Sequence, residues 1–282
     1  IIQSGVMRSG LLGGDRELSR RIGERTIKNL NLNRDNIKEI ETMEYETLAA
    51  AVAKACEEEK SHPFTVWSPV ADGEYFVGNP LHTGFRKETK HIPVLIGSCV
   101  CEFLPSPVGR KENWTEEQKK TVVKERFGEE TEAVMKAFVE AYPELDPSYA
   151  AAVDHEIRPA VLDFSSRRTR EAEAPVYNYV FAFESPLLGG QLTGHNGDLH
   201  FMFHNALYME AMYKKDVTAR LQDDMAGAWA SFAKTGSPNG EKLPCWKPYT
   251  EEKKACMIYG EQTVLRENHD RDLVALIETL TK

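Results

Sequence analysis

Two apolar stretches indicate the class of fold: Pro-Val-Leu-Ile-Gly at residues 93–97 and Val-Tyr-Asn-Tyr-Val-Phe-Ala-Phe at residues 176–183. The first is a short continuous run that ends in glycine, which is typical of a strand buried on both faces. The second is rich in β-branched and aromatic residues and is long enough for a central strand. Long helical stretches separate these strands from each other and from a weaker candidate strand at residues 256–259. This alternation predicts an α/β fold, with a mostly parallel sheet flanked by helices on both sides.

Helical signals fill the intervals between the strands. The sequence Thr-Glu-Glu-Gln at residues 115–118 is a capping box, which opens a helix that Gly128 can end. Apolar residues at four-residue spacing follow at residues 134–142. A longer apolar stripe covers residues 217–232, and Gly236 stands where the C-cap of a helix belongs. Each stripe predicts a helix that packs its apolar face on the core.

Composition places the chain among ordinary globular proteins and excludes several classes of partner. The chain has 282 residues, of which 41% are hydrophobic, and a formal net charge of −9. This acidic excess argues against a nucleic acid as the main partner, because phosphate binding needs lysine and arginine. No stretch reaches the ~18 apolar residues of a membrane helix, and these residues contain no recognisable signal peptide, so no membrane partner is expected. No linker rich in Pro, Gly or Ser divides the chain, so one domain over residues 1–282 is expected.

The five cysteines predict free thiols. Their number is odd and their positions, 56, 99, 101, 245 and 256, are scattered, so they do not form a disulfide framework. Cys99 and Cys101 are too close together for a zinc knuckle, and no second pair completes four ligands. We therefore expect no metal, no cofactor and a reducing compartment, which places the protein in the cytoplasm.

Candidate functional residues follow the two strong strands. In open α/β sheets, ligand sites gather at the carboxyl ends of the strands. Glu102 comes shortly after the first strand, Glu184 comes directly after the second, and His195 lies in a Gly-His-Asn-Gly turn further along the chain. An attacking nucleophile needs an imidazole to take its proton and a carboxylate to orient that imidazole. The residues alone therefore indicate a general base and its orienting acid.

A metal site is the alternative interpretation of the same segment. His195, His200 and His204 lie five and four residues apart, with Asp198 between them. On one helix, His200 and His204 would share a face, as metal ligands often do. The apolar residues 201–203 require burial, however, and no glutamate completes an H-E-x-x-H pattern. The acid–base interpretation is therefore preferred.

The nucleophile is missing from these residues. The G-x-S-x-G elbow, which exposes a serine above an α/β sheet, does not occur in residues 1–282. Ser4, Ser98 and Ser237 lie in other contexts: Gln-Ser-Gly, Gly-Ser-Cys and Gly-Ser-Pro. The chain by itself shows a base and an acid without the group that they would serve.

Five segments follow one another in an order and spacing that extend over nearly the whole chain. They are Ile-Ile-Gln-Ser-Gly at residues 1–5, Pro-Val-Ala-Asp-Gly-Glu-Tyr-Phe at 69–76, the strand through Glu102 at 93–102, the histidine block at 194–203, and Trp-x-x-Phe-Ala-x-Thr-Gly-x-Pro-Asn at 229–239. Together they resemble the type-B carboxylesterase/lipase family, which includes cholinesterases and bacterial para-nitrobenzyl esterases. The last two segments are the specific ones.

The resemblance implies an α/β-hydrolase fold and a role for three residues. Glu102 corresponds to the acid of the family's catalytic triad, and His195 corresponds to the catalytic histidine. Asp198 matches an acidic residue of the family near the histidine, and we expect it to support the histidine from behind. Asn196 stands where the family usually has glycine, and Phe103 stands where it usually has a small residue.

The resemblance also implies that the chain is the C-terminal half of the family's domain. The serine elbow and the oxyanion glycines would then lie ahead of Ile1, and the absence of an initial Met fits a truncated or processed origin. On this hypothesis the protein contributes His195 and Glu102 to a serine carboxylesterase that acts on a small-molecule ester, and residues 1–282 alone are inactive. The open edge of the sheet would bind the N-terminal half or a second copy of the chain.

A non-catalytic, cholinesterase-like domain that serves binding or adhesion is the rival hypothesis. The presence of both His195 and Glu102 speaks against it, because a domain freed from catalysis need not keep both. The sequence does not specify the ester. Phe64, Trp67 and Leu187 are candidates for a substrate pocket, but we expect each of them to pack in the core.

Overall fold

The computed structural model of the protein describes residues 1–8, 15–61, 68–240 and 243–281. The chain forms two compact units, one of residues 1–7 and 85–282 and the other of residues 8–84. Two compact units can belong to one domain, so the single domain expected over residues 1–282 stays a prediction. None of the helices in the described part of the chain has both the length and the apolar character needed to cross a bilayer.

The smaller unit is built on two helices. They are α1 (Arg16–Asn29) and α2 (Tyr45–Glu58), followed by the single turn α3 (Pro80–Thr83). Asp15 begins α1, because its carboxylate accepts hydrogen bonds from two amides of the first turn. The two long helices pack through a small buried cluster that contains Ile22, Ala55 and Cys56.

The larger unit alternates strands and helices. Its strands are β1 (Ile2–Gln3), β2 (Val94–Cys99), β3 (Val176–Phe181), β4 (Glu184–Ser185), β5 (Gln191–Leu192), β6 (Cys256–Tyr259) and β7 (Thr263–Arg266). Its α-helices are α4 (Glu116–Phe127), α5 (Thr131–Ala141), α6 (Ile157–Glu171), α7 (Leu199–Met202), α8 (Thr218–Thr235) and α9 (Arg271–Leu280). Short 3-10 helices occur in both units at Ile37–Glu41, Lys87–Thr89, Lys111–Asn113, Gly128–Glu130, Pro147–Ala152, Leu187–Gly189, Ala206–Tyr208 and Glu210–Met212.

The main sheet has the strand order β1-β2-β3-β6-β7. The first four strands are parallel, and β7 pairs antiparallel with β6. Ile96 of β2 pairs with Ile2 on one side and with Asn178 on the other. Strands β4 and β5 form a separate two-stranded antiparallel ribbon. The prediction of a mostly parallel sheet flanked by helices is confirmed.

Alternate residues of the central strands enter two hydrophobic cores, one on each face of the sheet. On one face, Val180 and Ile258 belong to the core that also holds side chains of α4, α5 and α9. On the other face, Tyr179 and Met257 belong to the core that α8 covers. Both faces of the central strands are therefore buried, which explains why β2 and β3 are continuous apolar runs rather than alternating ones.

The helix signals read from the sequence are confirmed at their ends. The Thr115 hydroxyl accepts from the Gln118 amide at 3.2 Å, and the Gln118 side chain accepts from the Thr115 amide at 2.8 Å. This capping box opens α4, and Gly128 ends it. Helix α8 ends at Gly236, whose φ of 77° lies in the left-handed region that glycine adopts without strain.

A buried ion pair joins α6 to the segment ahead of α9. Arg158 is 2% exposed, and its Nε and Nη2 donate to the two carboxylate oxygens of Asp270 at 2.7 and 2.8 Å. The Tyr142 hydroxyl donates to Asp270 at 2.9 Å, and Arg158 Nη1 donates to the Asn178 side chain at 3.1 Å. The Arg158 guanidinium holds the pKa of Asp270 well below its usual range, against the opposing effect of burial.

The first prediction concerns this ion pair. Asp270→Asn removes one charge and leaves the Arg158 guanidinium buried without its partner, so the free energy of unfolding in urea at pH 7 should fall by about 3–5 kcal/mol. Because the pKa of Asp270 is lowered on folding, its contribution is present at neutral pH and is lost as the pH falls below the carboxylate's unfolded value. The difference between wild type and variant should therefore shrink in acid.

Glu267→Gln is the matched control. It breaks an ion pair with Lys253 in which both side chains are about half exposed, and such pairs contribute about 1 kcal/mol or less. An Asp270→Asn variant no less stable than this control would contradict the role given to the buried pair.

Candidate active site

Glu102 and His195 meet at the carboxyl edge of the main sheet. Glu102 follows β2 and His195 follows β5, and the two residues are 93 positions apart in the chain. The His195 Nδ1 lies 2.6 Å from Glu102 Oε2. The backbone amide of His195 also donates to the carbonyl of Glu102 at 2.9 Å. The structure thus brings together the two residues that the sequence indicated as base and acid.

The Glu102 carboxylate is buried and fully supplied with donors. Its side chain is 0% exposed, and Oε1 accepts from the Ser4 hydroxyl at 2.6 Å and from the Cys99 amide at 2.8 Å. Burial raises the pKa of Glu102, while the hydrogen bonds from His195, Ser4 and Cys99 act to lower it. An oriented carboxylate with no freedom to turn is suited to hold an imidazole in one tautomer.

Ser4 is a residue of this site that the sequence did not reveal. The Gln-Ser-Gly context excludes Ser4 as the nucleophile and gives no other sign of a role. The structure shows it at the end of β1, where its amide donates to the carbonyl of Gly97 and its φ of 49° turns the chain. The contact between Ser4 and Glu102 arises because β1 and β2 lie side by side in the sheet. A reader of the sequence would need to know this pairing to predict it.

The ring of His195 is oriented on one side and open on the other. Glu102 raises the pKa of His195 through their hydrogen bond, and burial partly opposes this. Within the described residues, the Nε2 atom has no hydrogen-bond partner, and the side chain is 32% exposed. The Phe103 ring packs on the imidazole with 4.5 Å between centroids. The Nε2 atom is thus placed to accept a proton from a group that approaches from outside.

Asn196 explains one departure from the family's pattern. Its φ is 69°, which lies in the left-handed region where asparagine is tolerated better than most residues. The turn is closed by the Gly197 amide, which donates to the Gly194 carbonyl at 2.9 Å. Asparagine therefore serves the backbone in the same way as the usual glycine.

Asp198 lies behind the histidine turn and does not bond the imidazole directly. It is 2% exposed, and its Oδ2 accepts from the Tyr179 hydroxyl at 2.8 Å and from Gln3 Nε2 at 3.1 Å. Its negative charge adds to the rise in the pKa of His195. Tyr179 fits here because Gly97 has no side chain; a Cβ on Gly97 would lie 2.2 Å from the Tyr179 ring.

The metal interpretation of the same histidines is not supported by the geometry. Helix α7 covers only Leu199–Met202, and His204 lies beyond it with a φ of 57°. His204 instead pairs with Asp223 at 2.7 Å on an exposed surface. Across residues 1–8, 15–61, 68–240 and 243–281, no group of three His, Cys, Asp or Glu side chains is arranged to hold a metal ion.

A cavity of about 240 Å³ lies beside the histidine turn. Its lining includes Gly194, Leu104, Leu187 and Met212. The prediction that Leu187 packs in the core is wrong, because this side chain is 43% exposed and lines the cavity. Phe64 and Trp67, the other two candidates for a pocket, lie outside the described residues.

The second prediction tests the coupling of the two residues. Glu102→Gln keeps the shape of the side chain but removes its charge, so the pKa of His195 should fall towards or below about 6.5. An NMR titration of the His195 Cε1 proton measures this value. Asp223→Asn, which alters the partner of His204, should leave the pKa of His195 unchanged. An unchanged His195 pKa in Glu102→Gln would contradict the coupling.

The sequence of the chain is similar to those of carboxylesterases. A sequence model described as "Carboxylesterase family" matches residues 1–274. The chain is 28% identical over 212 residues to carboxylesterase 4A of Bos taurus, a match that covers 67% of this chain and 38% of the relative. It is also 28% identical over 221 residues to carboxylesterase 1C of Rattus norvegicus, covering 71% of this chain and 39% of the relative.

Solved structures of esterases share the fold. An esterase from Clostridium hathewayi, described as able to hydrolyse aliphatic aromatic polyesters, has a TM-score of 0.86 and 28% identity, and the match covers 99% of this chain and 56% of that one. The Geobacillus stearothermophilus carboxylesterase EST55 has a TM-score of 0.61 and 21% identity, with 96% and 56% covered. The chain thus spans less than two fifths of those two relatives and about half of each solved esterase. The fold is that of the α/β hydrolases, and the chain belongs to the carboxylesterase family.

Proposed function

We propose that the protein is a serine carboxylesterase in which His195 is the general base and Glu102 orients it. The observation that carries the proposal is the 2.6 Å contact between His195 Nδ1 and the buried Glu102, combined with an Nε2 atom that has no partner among the described residues. A proton acceptor held from behind and open in front is what the attack of a hydroxyl on an ester needs.

The proposed reaction uses His195 twice. As a serine hydroxyl attacks the ester carbonyl, Nε2 takes its proton, and Glu102 stabilises the imidazolium that forms. Nε2 then gives the proton to the departing alkoxide, which leaves an acyl-enzyme. Water, activated by the same nitrogen, releases the carboxylic acid and restores the serine.

We propose that the nucleophile comes from outside residues 1–282, from the N-terminal half of the same domain. The share of the relatives that the chain covers, 38–39% of two curated carboxylesterases, supports this. Among the described strands, β1 pairs on one side only, with β2, which leaves an edge for a further strand or a second copy of the chain. On this proposal residues 1–282 alone do not hydrolyse esters.

We propose apolar carboxylic esters as the substrate class. The cavity beside the histidine turn is lined by Leu104, Leu187 and Met212 on its apolar side and by polar side chains that include Ser106 and Gln191. The apolar side favours an apolar acyl or alcohol group, and the polar side chains can bond the ester oxygens. The Clostridium hathewayi esterase, which is described as hydrolysing aliphatic aromatic polyesters, is similar over 99% of this chain. The rival hypothesis, a non-catalytic binding domain, gives no reason for the hydrogen bond between Glu102 and His195. We therefore do not favour it.

We propose a cytoplasmic location for the protein. All five cysteines are free, and four of them are buried. Such thiols persist in a reducing compartment without pairing. Fractionation of the source cells tests this location.

The third prediction tests the proposed activity in the full-length gene product. Wild type should hydrolyse para-nitrophenyl butyrate, and His195→Ala should lower kcat/KM by at least about 1000-fold, because no other base can replace the imidazole. Activity should fall as the pH drops through the pKa of His195, which is raised above its ordinary value.

The control variant is His204→Ala, which removes an exposed histidine paired with Asp223. It should keep the wild-type rate. Hydrolysis that survives His195→Ala at this level would contradict the assignment of the base, and a full-length protein that hydrolyses no ester would contradict the function itself.

A further inference from the structure

Lys111 is a buried cation between the loop that follows Glu102 and the loop that leads to His195. It is 6% exposed. Its Nζ donates to the carbonyls of Pro107 at 3.1 Å, Gly109 at 2.8 Å and Gly190 at 3.2 Å. An ammonium group has three protons, so each of them has an acceptor. Pro107 and Gly109 belong to the loop that follows Glu102, residues 103–110, which we call the acid loop. Gly190 belongs to the loop that leads to His195, residues 186–194, which we call the histidine loop.

Two aromatic rings surround the Lys111 ammonium, which forms no direct ion pair with a described carboxylate. Its Nζ lies 4.8 Å from the ring centroids of both Trp114 and Tyr149, on their faces. The structure shows no ion pair between Lys111 and a carboxylate of the described residues. The Glu184 carboxylate accepts from the Tyr149 hydroxyl at 2.6 Å, and its charge acts to raise the pKa of Lys111 without an ion pair between the two side chains. Burial lowers the pKa of Lys111, so a charged ammonium at this position costs the folded protein some free energy.

Three further hydrogen bonds join the same two loops in order. The Gly109 amide donates to the Gly190 carbonyl at 3.1 Å, and the Leu192 amide donates to the Ser106 hydroxyl at 3.0 Å. The His195 amide donates to the Glu102 carbonyl at 2.9 Å. Lys111 lies at the far end of this row. Its Nζ donates to the carbonyls of both Gly109 and Gly190. It therefore joins the two loops at the end of this row of hydrogen bonds that is farther from Glu102 and His195.

There is no room for a side chain at the point that Lys111 binds. Gly190 has a φ of 125°, and a Cβ there would lie 2.7 Å from the Glu184 carboxylate. A Cβ on Gly189 would lie 3.1 Å from the Arg110 amide. The two loops therefore approach backbone to backbone, and Lys111 gives the Gly190 carbonyl a second donor beside the Gly109 amide.

We infer that Lys111 is a positioning residue for the proposed ester hydrolysis: its ammonium fastens the acid loop to the histidine loop and so sets the contact between Glu102 and His195. The inference rests on the proposed function. Lys111 acts only through these two residues and lies against backbone and aromatic rings. Without it, the Gly109 carbonyl loses the donor that Lys111 supplies and the Gly190 carbonyl keeps only the Gly109 amide, so the side-chain link between the two loops is lost.

Arg168 offers a matched control at the other end of β2. It is 2% exposed, donates to the carbonyls of Thr89 and Ile92, and lies 4.8 Å from the centroid of the Phe85 ring. It is therefore a buried cation on backbone carbonyls beside an aromatic ring, like Lys111. It fastens the segment ahead of β2, however, and touches neither of the loops that carry the acid and the base.

The fourth prediction compares Lys111→Met, Lys111→Gln and Arg168→Met in the full-length protein. Lys111→Met should change the pKa of His195 towards about 6.5 in an NMR titration and lower kcat by about 10- to 100-fold, because a small displacement of catalytic groups is costly. Lys111→Gln keeps part of the donor capacity and should fall between this variant and wild type. Arg168→Met should lower Tm and leave both the pKa of His195 and kcat as in wild type.

Each outcome separates this inference from the proposed function. A Lys111→Met variant that lowers Tm without moving the pKa of His195 would overturn the positioning role, even if wild type is an active esterase. Failure of both Lys111 variants to fold, with Arg168→Met folded, would assign Lys111 to global stability and would also overturn it. A changed His195 pKa in a protein without esterase activity would support the positioning role and contradict the function.

Discussion

A carboxylate buried at the end of a sheet must be given hydrogen-bond donors, and this constraint organises the edge of the molecule around Glu102. Its side chain has no contact with solvent, so each hydrogen bond that the carboxylate loses would not be replaced by water and would cost free energy. The donors come from three places in the chain: Ser4 after β1, the Cys99 amide at the end of β2, and His195 after β5. Burial of one acidic group therefore fixes how β1, β2 and the histidine turn meet.

The sequence could predict the elements of the fold because their signals are local. The apolar runs at residues 93–97 and 176–183 became β2 and β3, and the capping box at residues 115–118 became the start of α4. Strand β3 ends at Phe181, two residues before the apolar run does. Beyond the strand, the Thr193 amide and hydroxyl both take the carbonyl of Phe183. Strand ends depend on such distant partners, which periodicity does not show.

The sequence could predict part of the candidate site, because some of its residues also carry local signals. Glu102 and His195 follow strands, and the resemblance to a family named both. Ser4 and Lys111 carry no local signal of their role, because their partners lie 98 and 79 residues away in the chain. Asp198 supports the histidine through charge and not by direct contact, which a motif cannot distinguish. Contacts between separate loops thus decide the parts of the site that the sequence left out.

The burial of the thiols has a practical consequence for physical study of the molecule. Cys245 is exposed, while the other four cysteines are buried. A maleimide reagent should therefore attach a single fluorophore to the folded chain, at Cys245, a residue outside the loops that carry Glu102 and His195. The four remaining thiols become reactive only where the structure opens. Their rates of alkylation would report the opening of three separate places: the contact between α1 and α2 at Cys56, the surroundings of the acid at Cys99 and Cys101, and the neighbourhood of Arg158 at Cys256.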